Sequence, residues 1–220
     1  MIIVHHLNDS RSQRVLWLLE ELGLDIEVRR YQRDPHTMLA PPELKAVHPL
    51  GKSPVIEDRG IKVAETGAIF DYLLSTYGQG RLRPAAGTED ARRFTYWMYY
   101  AEGSAMTPLL LRLIFAQIPA KVPFFARPIA NGITKAMNKR MIQPQLDSHI
   151  GYWEGELGHT GWFAGPEFTA ADIMMSFPLE AATARAGAAR QPQIAAFLQR
   201  VHARPAYLRA IDRGGPYSFA

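Results

Sequence analysis

The run Gly51-Lys52-Ser53-Pro54-Val55-Ile56-Glu57-Asp58-Arg59-Gly60-Ile61-Lys62-Val63-Ala64-Glu65-Thr66 decides the fold. Two alternating segments, 55–58 and 61–64, flank Arg59-Gly60 and predict a tight antiparallel hairpin. Pro54 cannot donate to a strand ladder, and bonds preceding proline are the usual home of cis peptides. It is either an ordinary edge-strand proline or a cis residue that turns the Val55 backbone out toward an extended ligand. Gly51-Lys52-Ser53 invites a phosphate-loop reading, but that motif needs a glycine where Ala46 stands, so it is rejected. At the far end Glu65-Thr66 opens a helical segment reaching Tyr77, with Ile69, Tyr72 and Leu73 on one face. Its carboxylate and hydroxyl either cap that helix or hold the ammonium and carboxylate of a ligand.

Upstream, Ile2-Ile3-Val4 reads as a strand, and Asn8-Asp9-Ser10 supplies turn and capping chemistry. Val15, Leu18, Leu19 and Leu22 then form one apolar helical stripe that stops at Gly23. Ile26 to Arg29 alternates like a half-buried strand. Four prolines in 34–50 predict loop with at most a short helix. The order β-α-β-loop-β-β-α implies a parallel crossover followed by antiparallel strands. Ser10 sits at the mouth of the first helix, where free N–H groups favour an anion; it either caps the helix or donates to a bound thiolate or phosphate. No G-x-S-x-G elbow surrounds it, which argues against a hydrolytic nucleophile.

Downstream, the turn-rich stretch 80–88 reads as a linker dividing a domain at 1–79 from one at 89–220. The second half shows only helical segments, at about 89–116, 131–157, 169–187, 191–203 and 205–212. Thr169 and Asp172 form a capping box, with Phe168 and Ile173 at the staple positions. The chain has no cysteine, so it forms no disulfide and supplies no thiol nucleophile. His5 and His6 adjoin on a strand and face opposite sides, and no metal site is expected. No apolar run spans a bilayer and no signal-like start is present, so a cytoplasmic protein is expected. Residues 1–80 hold 9 Lys/Arg against 11 Asp/Glu, while 81–220 hold 16 against 10. No acid lies between Glu102 and Asp147, where six bases fall.

Taken together, these features resemble the cytosolic glutathione transferases over essentially the whole chain. The resemblance implies a thioredoxin-like N-terminal domain, an all-helical C-terminal domain and glutathione as co-substrate, with no other cofactor. Ser10 followed by Arg14 is similar to the serine-type members, which implies that Ser10, or failing it Asn8, faces the thiol. Pro54 matches the family's cis-proline and Val55 the residue whose backbone pairs with the cysteinyl unit. Glu65-Thr66 matches the pair that holds the γ-glutamyl end, and Lys52 the base that meets the glycyl carboxylate. The family pattern further implies conjugation of small hydrophobic electrophiles and a homodimer.

Tyr99, Met106 and Leu110 are the candidates for the electrophile pocket. A glutathione-dependent peroxidase or disulfide reductase and a noncatalytic ligand-binding relative are the alternatives. Nucleic acid is not expected as a partner, for want of a compact basic-aromatic motif. Residues 117–141 mix Ile118, Val122, Phe124, Phe125, Ile129 and Ile133 with bases, which leaves a peripheral membrane contact open.

Overall fold

A computed structural model describes residues 1–219. Strand β1 (Ile2–Leu7), helix α1 (Ser12–Leu22) and strand β2 (Ile26–Tyr31) make the parallel crossover. Strands β3 (Val55–Asp58) and β4 (Ile61–Ala64) complete a mixed sheet in the order β2-β1-β3-β4. Short α2 (Glu43–Val47) lies in the proline-rich stretch, and α3 (Thr66–Tyr77) closes the unit. Arg59 and Gly60 both have positive φ, 48° and 83°, the backbone that a two-residue hairpin needs to match strand twist. The Ser53–Pro54 bond is cis.

No helix or strand occupies 78–88. Beyond it come α4 (Glu89–Tyr100), α5 (Met106–Lys121), α6 (Arg127–Met137), α7 (Gln143–Thr160), α8 (Ala170–Ala186), α9 (Pro192–His202) and α10 (Pro205–Gly214). The single helix expected over 89–116 is instead two, joined by a π-helical turn at Ala101–Ala105. A π turn keeps apolar residues near helical spacing, so periodicity runs straight through it. The gap expected over 117–130 is also corrected. Helix α5 continues past Pro119 to Lys121, and α6 begins with Pro128 in its first turn, where a missing N–H costs little.

Helix α1 departs most from its predicted stripe. Every residue from Ser12 to Glu20 is buried, polar ones included, because the sheet covers one side and α8 and α10 cover the other. Its acids meet the helical domain's bases: Glu21 receives two bonds from Arg204 (2.6 and 3.0 Å), and Glu20 pairs with Arg209 and Arg213. The uneven charge of the two halves is thus partly spent on docking them. One continuous core runs from Val4 and Leu18 through Trp17 to Trp153 and Phe197.

The capping box forms. Thr169 accepts from the Asp172 N–H as the box requires, and its Oγ1 also accepts from the Ala171 N–H (3.3 Å). The Asp172 carboxylate accepts from the N–H of Thr169 (2.7 Å) and of Phe163 (2.8 Å). Burial pushes its pKa up to about 6 against the pull of those donors.

Candidate active site

A cleft of about 230 Å³ opens between the two halves, lined by Arg11, His48, Leu50, Lys52, Ser53, Pro54, Ala64, Glu65, Thr66 and Glu102. The turn before β3 builds its floor. Gly51 has φ +58°, and a Cβ there would lie 2.7 Å from Lys45 Cγ, so a side chain would disturb the loop that presents Lys52. Ser53 Oγ donates to the His5 carbonyl (2.7 Å) and accepts from the Leu7 N–H (3.2 Å), pinning the cis bond to the end of β1. Among the described residues neither the N–H nor the C=O of Ser53 takes a main-chain partner. Both remain available to an extended ligand.

Val55 does not play this part. It is fully buried in β3, with His5 on one flank and Ala64 on the other, so its main chain belongs to the sheet. The free backbone in the cleft belongs to Ser53.

Glu65 and Thr66 form the opposite wall. Glu65 has φ +72° and ψ 126°, a conformation that non-glycine residues hold only under constraint. It leaves the carboxylate exposed at the start of α3 while Thr66 is buried beneath it. The first turn of α3 contains no acid, so its free N–H groups present a positive end to a carboxylate. An ammonium beside a carboxylate fits this wall, and a second carboxylate fits Lys52.

The mouth of α1 differs from the sequence expectation. Asn8 Oδ1 accepts from the Arg33 N–H (2.8 Å), which turns it away from the cleft. Ser10 is buried and does not line the cleft. Its Oγ accepts from the Ser12 N–H (3.3 Å), as a helix cap does, and lies 2.7 Å from Ser12 Oγ. Ser12 Oγ in turn meets His6 Nδ1 at 2.9 Å. Burial first, then Arg30, lowers the His6 pKa to about 4, so the ring is neutral near pH 7. Ser10 Oγ is thus held in a buried cluster with Ser12 and His6, away from the cleft.

Arg11, the next residue, does line the cleft. Its Nε stands 2.8 Å from Glu102 Oε2 on the π turn, and the buried Arg14 also pairs with Glu102. Burial pushes the Glu102 carboxyl up, but Arg14 and Arg11 together hold it below the ordinary carboxylate range. Glu102 fixes Arg11 from the helical domain while leaving that guanidinium partly exposed. In the sequence Arg11 competes with Ser10, Asn8 and Ser12 for the place that faces the thiol, with no spacing to rank it first. Glu102 carries no signal beyond being the last acid before the acid-free stretch.

The three electrophile-pocket candidates are not gathered together. Met106 is buried, Leu110 is exposed on α5, and Tyr99 lines a separate apolar groove of about 960 Å³ between α3 and α4.

His6 gives a pH prediction. A base whose folded pKa is lowered stabilises the fold above its unfolded pKa and loses that stability as pH falls through the folded value. Between pH ~6.5 and ~4 the protein is expected to lose roughly 3 kcal/mol through this group. Asp172 works in the opposite sense over part of the same range, so the difference between the parent and His6→Asn isolates the histidine. Denaturant unfolding at pH steps should show a variant with a flatter acid limb. Parallel limbs would remove His6 from the account.

Fold and site together define a two-domain protein with a thioredoxin-like sheet and a charged cleft between its two halves. The match with known proteins is to the same class. Residues 1–75 match the family model of the glutathione S-transferase N-terminal domain, and residues 118–205 that of the C-terminal domain. Glutathione S-transferase 1 of Saccharomyces cerevisiae is 34% identical, over 97% of this chain and 95% of its own. Glutathione S-transferase 3 of Schizosaccharomyces pombe is 32% identical, over 83% of this chain and 74% of its own. The crystal structure of a glutathione S-transferase from Actinobacillus pleuropneumoniae superposes with a TM-score of 0.79 at 33% identity, covering 100% of this chain and 95% of that one. The chain belongs to the glutathione S-transferase family.

Proposed function

We propose that the cleft binds glutathione and that the enzyme conjugates its thiolate to small hydrophobic electrophiles. One observation carries this reading. The unpaired backbone of Ser53 lies between a cation, Lys52, and the Glu65-Thr66 wall. Glutathione has the matching layout: a carboxylate at one end, an amino acid head at the other, and an extended peptide between. With no cysteine in the chain, the reacting thiol arrives with the ligand.

The thiolate sits at the mouth of α1 and is stabilised by Arg11 together with the positive helix end. A free thiol near pKa ~8.5 needs roughly 2.7 kcal/mol of preferential stabilisation to fall by about two units. One charge-assisted bond and a helix terminus supply that order of magnitude. The electrophile is then attacked at carbon by the sulfur lone pair, and the leaving group departs with the bonding pair.

Calorimetric titration with glutathione tests the premise. One molecule should bind per chain, and Lys52→Ala should weaken binding about five- to tenfold. That is the lower end for a charged bond, because Lys52 is exposed. Absence of glutathione binding, or an unchanged affinity in the variant, would sink the assignment. The reading includes a homodimer, supported by the apolar groove lined by Phe94, Met98 and the exposed Tyr99 beside Asp71 and Arg83. Light scattering should give twice 24.7 kDa. A cytoplasmic location belongs to the same reading, and fractionation tests it.

A further inference from the structure

Helix α6 packs against α5 and the turns at its two ends, leaving the 117–141 segment as a projecting hairpin in which Ala130 is the one fully buried residue. At its tip Phe124 and Phe125 are 79% and 73% exposed, and Ile129 and Ile133 follow at 69% and 57%. Phe125, Ile129 and Ile133 recur every four residues, so they share one face of the turn and helix. Such a contiguous apolar edge on a protein surface is uncommon unless something covers it.

The neighbouring edge is basic. Lys135 and Lys139, one turn apart, and Arg140 surround a depression of about 310 Å³ floored by Gly132 and Ala136. Lys121 and Arg127 flank the aromatic tip. Among the described residues none of these five bases forms a salt bridge. The bracketing acids are engaged elsewhere: Glu102 holds Arg11 and Arg14, and Asp147 accepts from the Gln143 amide (2.7 Å).

We propose that the α5–α6 hairpin is a docking surface for an anionic lipid bilayer. The aromatic tip and the two isoleucines enter the headgroup–acyl boundary, and the basic edge meets lipid phosphates and carboxylates. The small residues between Lys135 and Lys139 give a headgroup room to approach both. A second copy of the chain does not suit this face, because a twofold pairing would bring two basic edges without acids together. Among the described residues no helix is long and apolar enough to cross a membrane, so the contact is peripheral.

Flotation of the full-length protein with vesicles tests this, using phosphatidylcholine alone and a phosphatidylcholine–phosphatidylserine mixture. The mixed vesicles should carry the protein, with binding that falls as salt rises, and the neutral vesicles should not. Lys135→Gln with Lys139→Gln should weaken binding roughly 25-fold, at about fivefold per base. Phe124→Ser with Phe125→Ser should weaken it further while the salt dependence persists. Both pairs lie outside the cleft, so unchanged glutathione binding certifies their fold. Three results would overturn the proposal: no flotation with mixed vesicles, equal flotation with both kinds, or variants that float like the parent. Retention on duplex DNA without flotation would assign the surface to nucleic acid instead.

Discussion

Replacing Arg11 with alanine is expected to lower kcat/KM for conjugation by roughly a hundredfold. Removing one preorganised donor from a developing or resident anion costs 10²–10³ in rate in well-buried sites. Arg11 belongs at the lower end of that range, because it is partly exposed and shares its charge with Glu102. The loss should appear in the ionisation of the bound thiol. Ultraviolet titration of the glutathione complex should place the thiolate transition at least one unit higher, while affinity for glutathione stays within a few fold. Ser10→Ala is the informative companion. Its hydroxyl is turned toward Ser12, so the variant should lose about 1 kcal/mol of stability as a missing helix cap and keep its thiol pKa. If the serine variant loses thiol ionisation and the arginine variant keeps it, the hydroxyl is the thiolate's partner.

Arg14→Met is expected to cost about 3–5 kcal/mol of stability. The Arg14 side chain is 1% exposed, donates to the Met174 carbonyl (2.7 Å), pairs with Glu102 and lies 5.2 Å from the Phe177 ring centroid. Truncation would leave a buried carbonyl unpaired and Glu102 with one cation in place of two. At about 2–4 °C per kcal/mol for a chain of this size, the melting midpoint should fall by roughly 10 °C. A fall of a degree or two would show that Arg11 alone satisfies Glu102. Adding Glu102→Leu should recover part of the loss, since removing a buried pair outright is cheaper than orphaning one half.

The parts of the fold that local chemistry specifies were legible. The hairpin follows from Arg59-Gly60, α3 from Glu65-Thr66, and α8 from a capping box whose two members are three residues apart. The cleft's Lys52, Pro54, Glu65 and Thr66 were legible for the same reason, since each sits at the end of an element that its own neighbours define. What depends on the second domain was not. The residues of α1 look like one apolar stripe with polar flanks until α8 and α10 bury those flanks as well. The π turn is invisible to a periodicity argument. The Arg11–Glu102 pair joins residues 91 positions apart, which no spacing rule relates. Ser10 was favoured because a hydroxyl at a helix mouth is a sound donor. Its burial and its bonds to Ser12 take that hydroxyl out of the cleft instead.

The Glu102 bridge also bears on how such an enzyme can be rebuilt. One residue of the helical half holds Arg11, the cation that the proposed reading sets beside sulfur. Neither half is therefore a self-sufficient module, and exchanging helical domains between relatives to change electrophile preference would also retune the nucleophile. A chimera that brings in a different residue at the π turn should start with a misplaced Arg11, however good its new pocket. The unit to transplant is the helical domain together with α1.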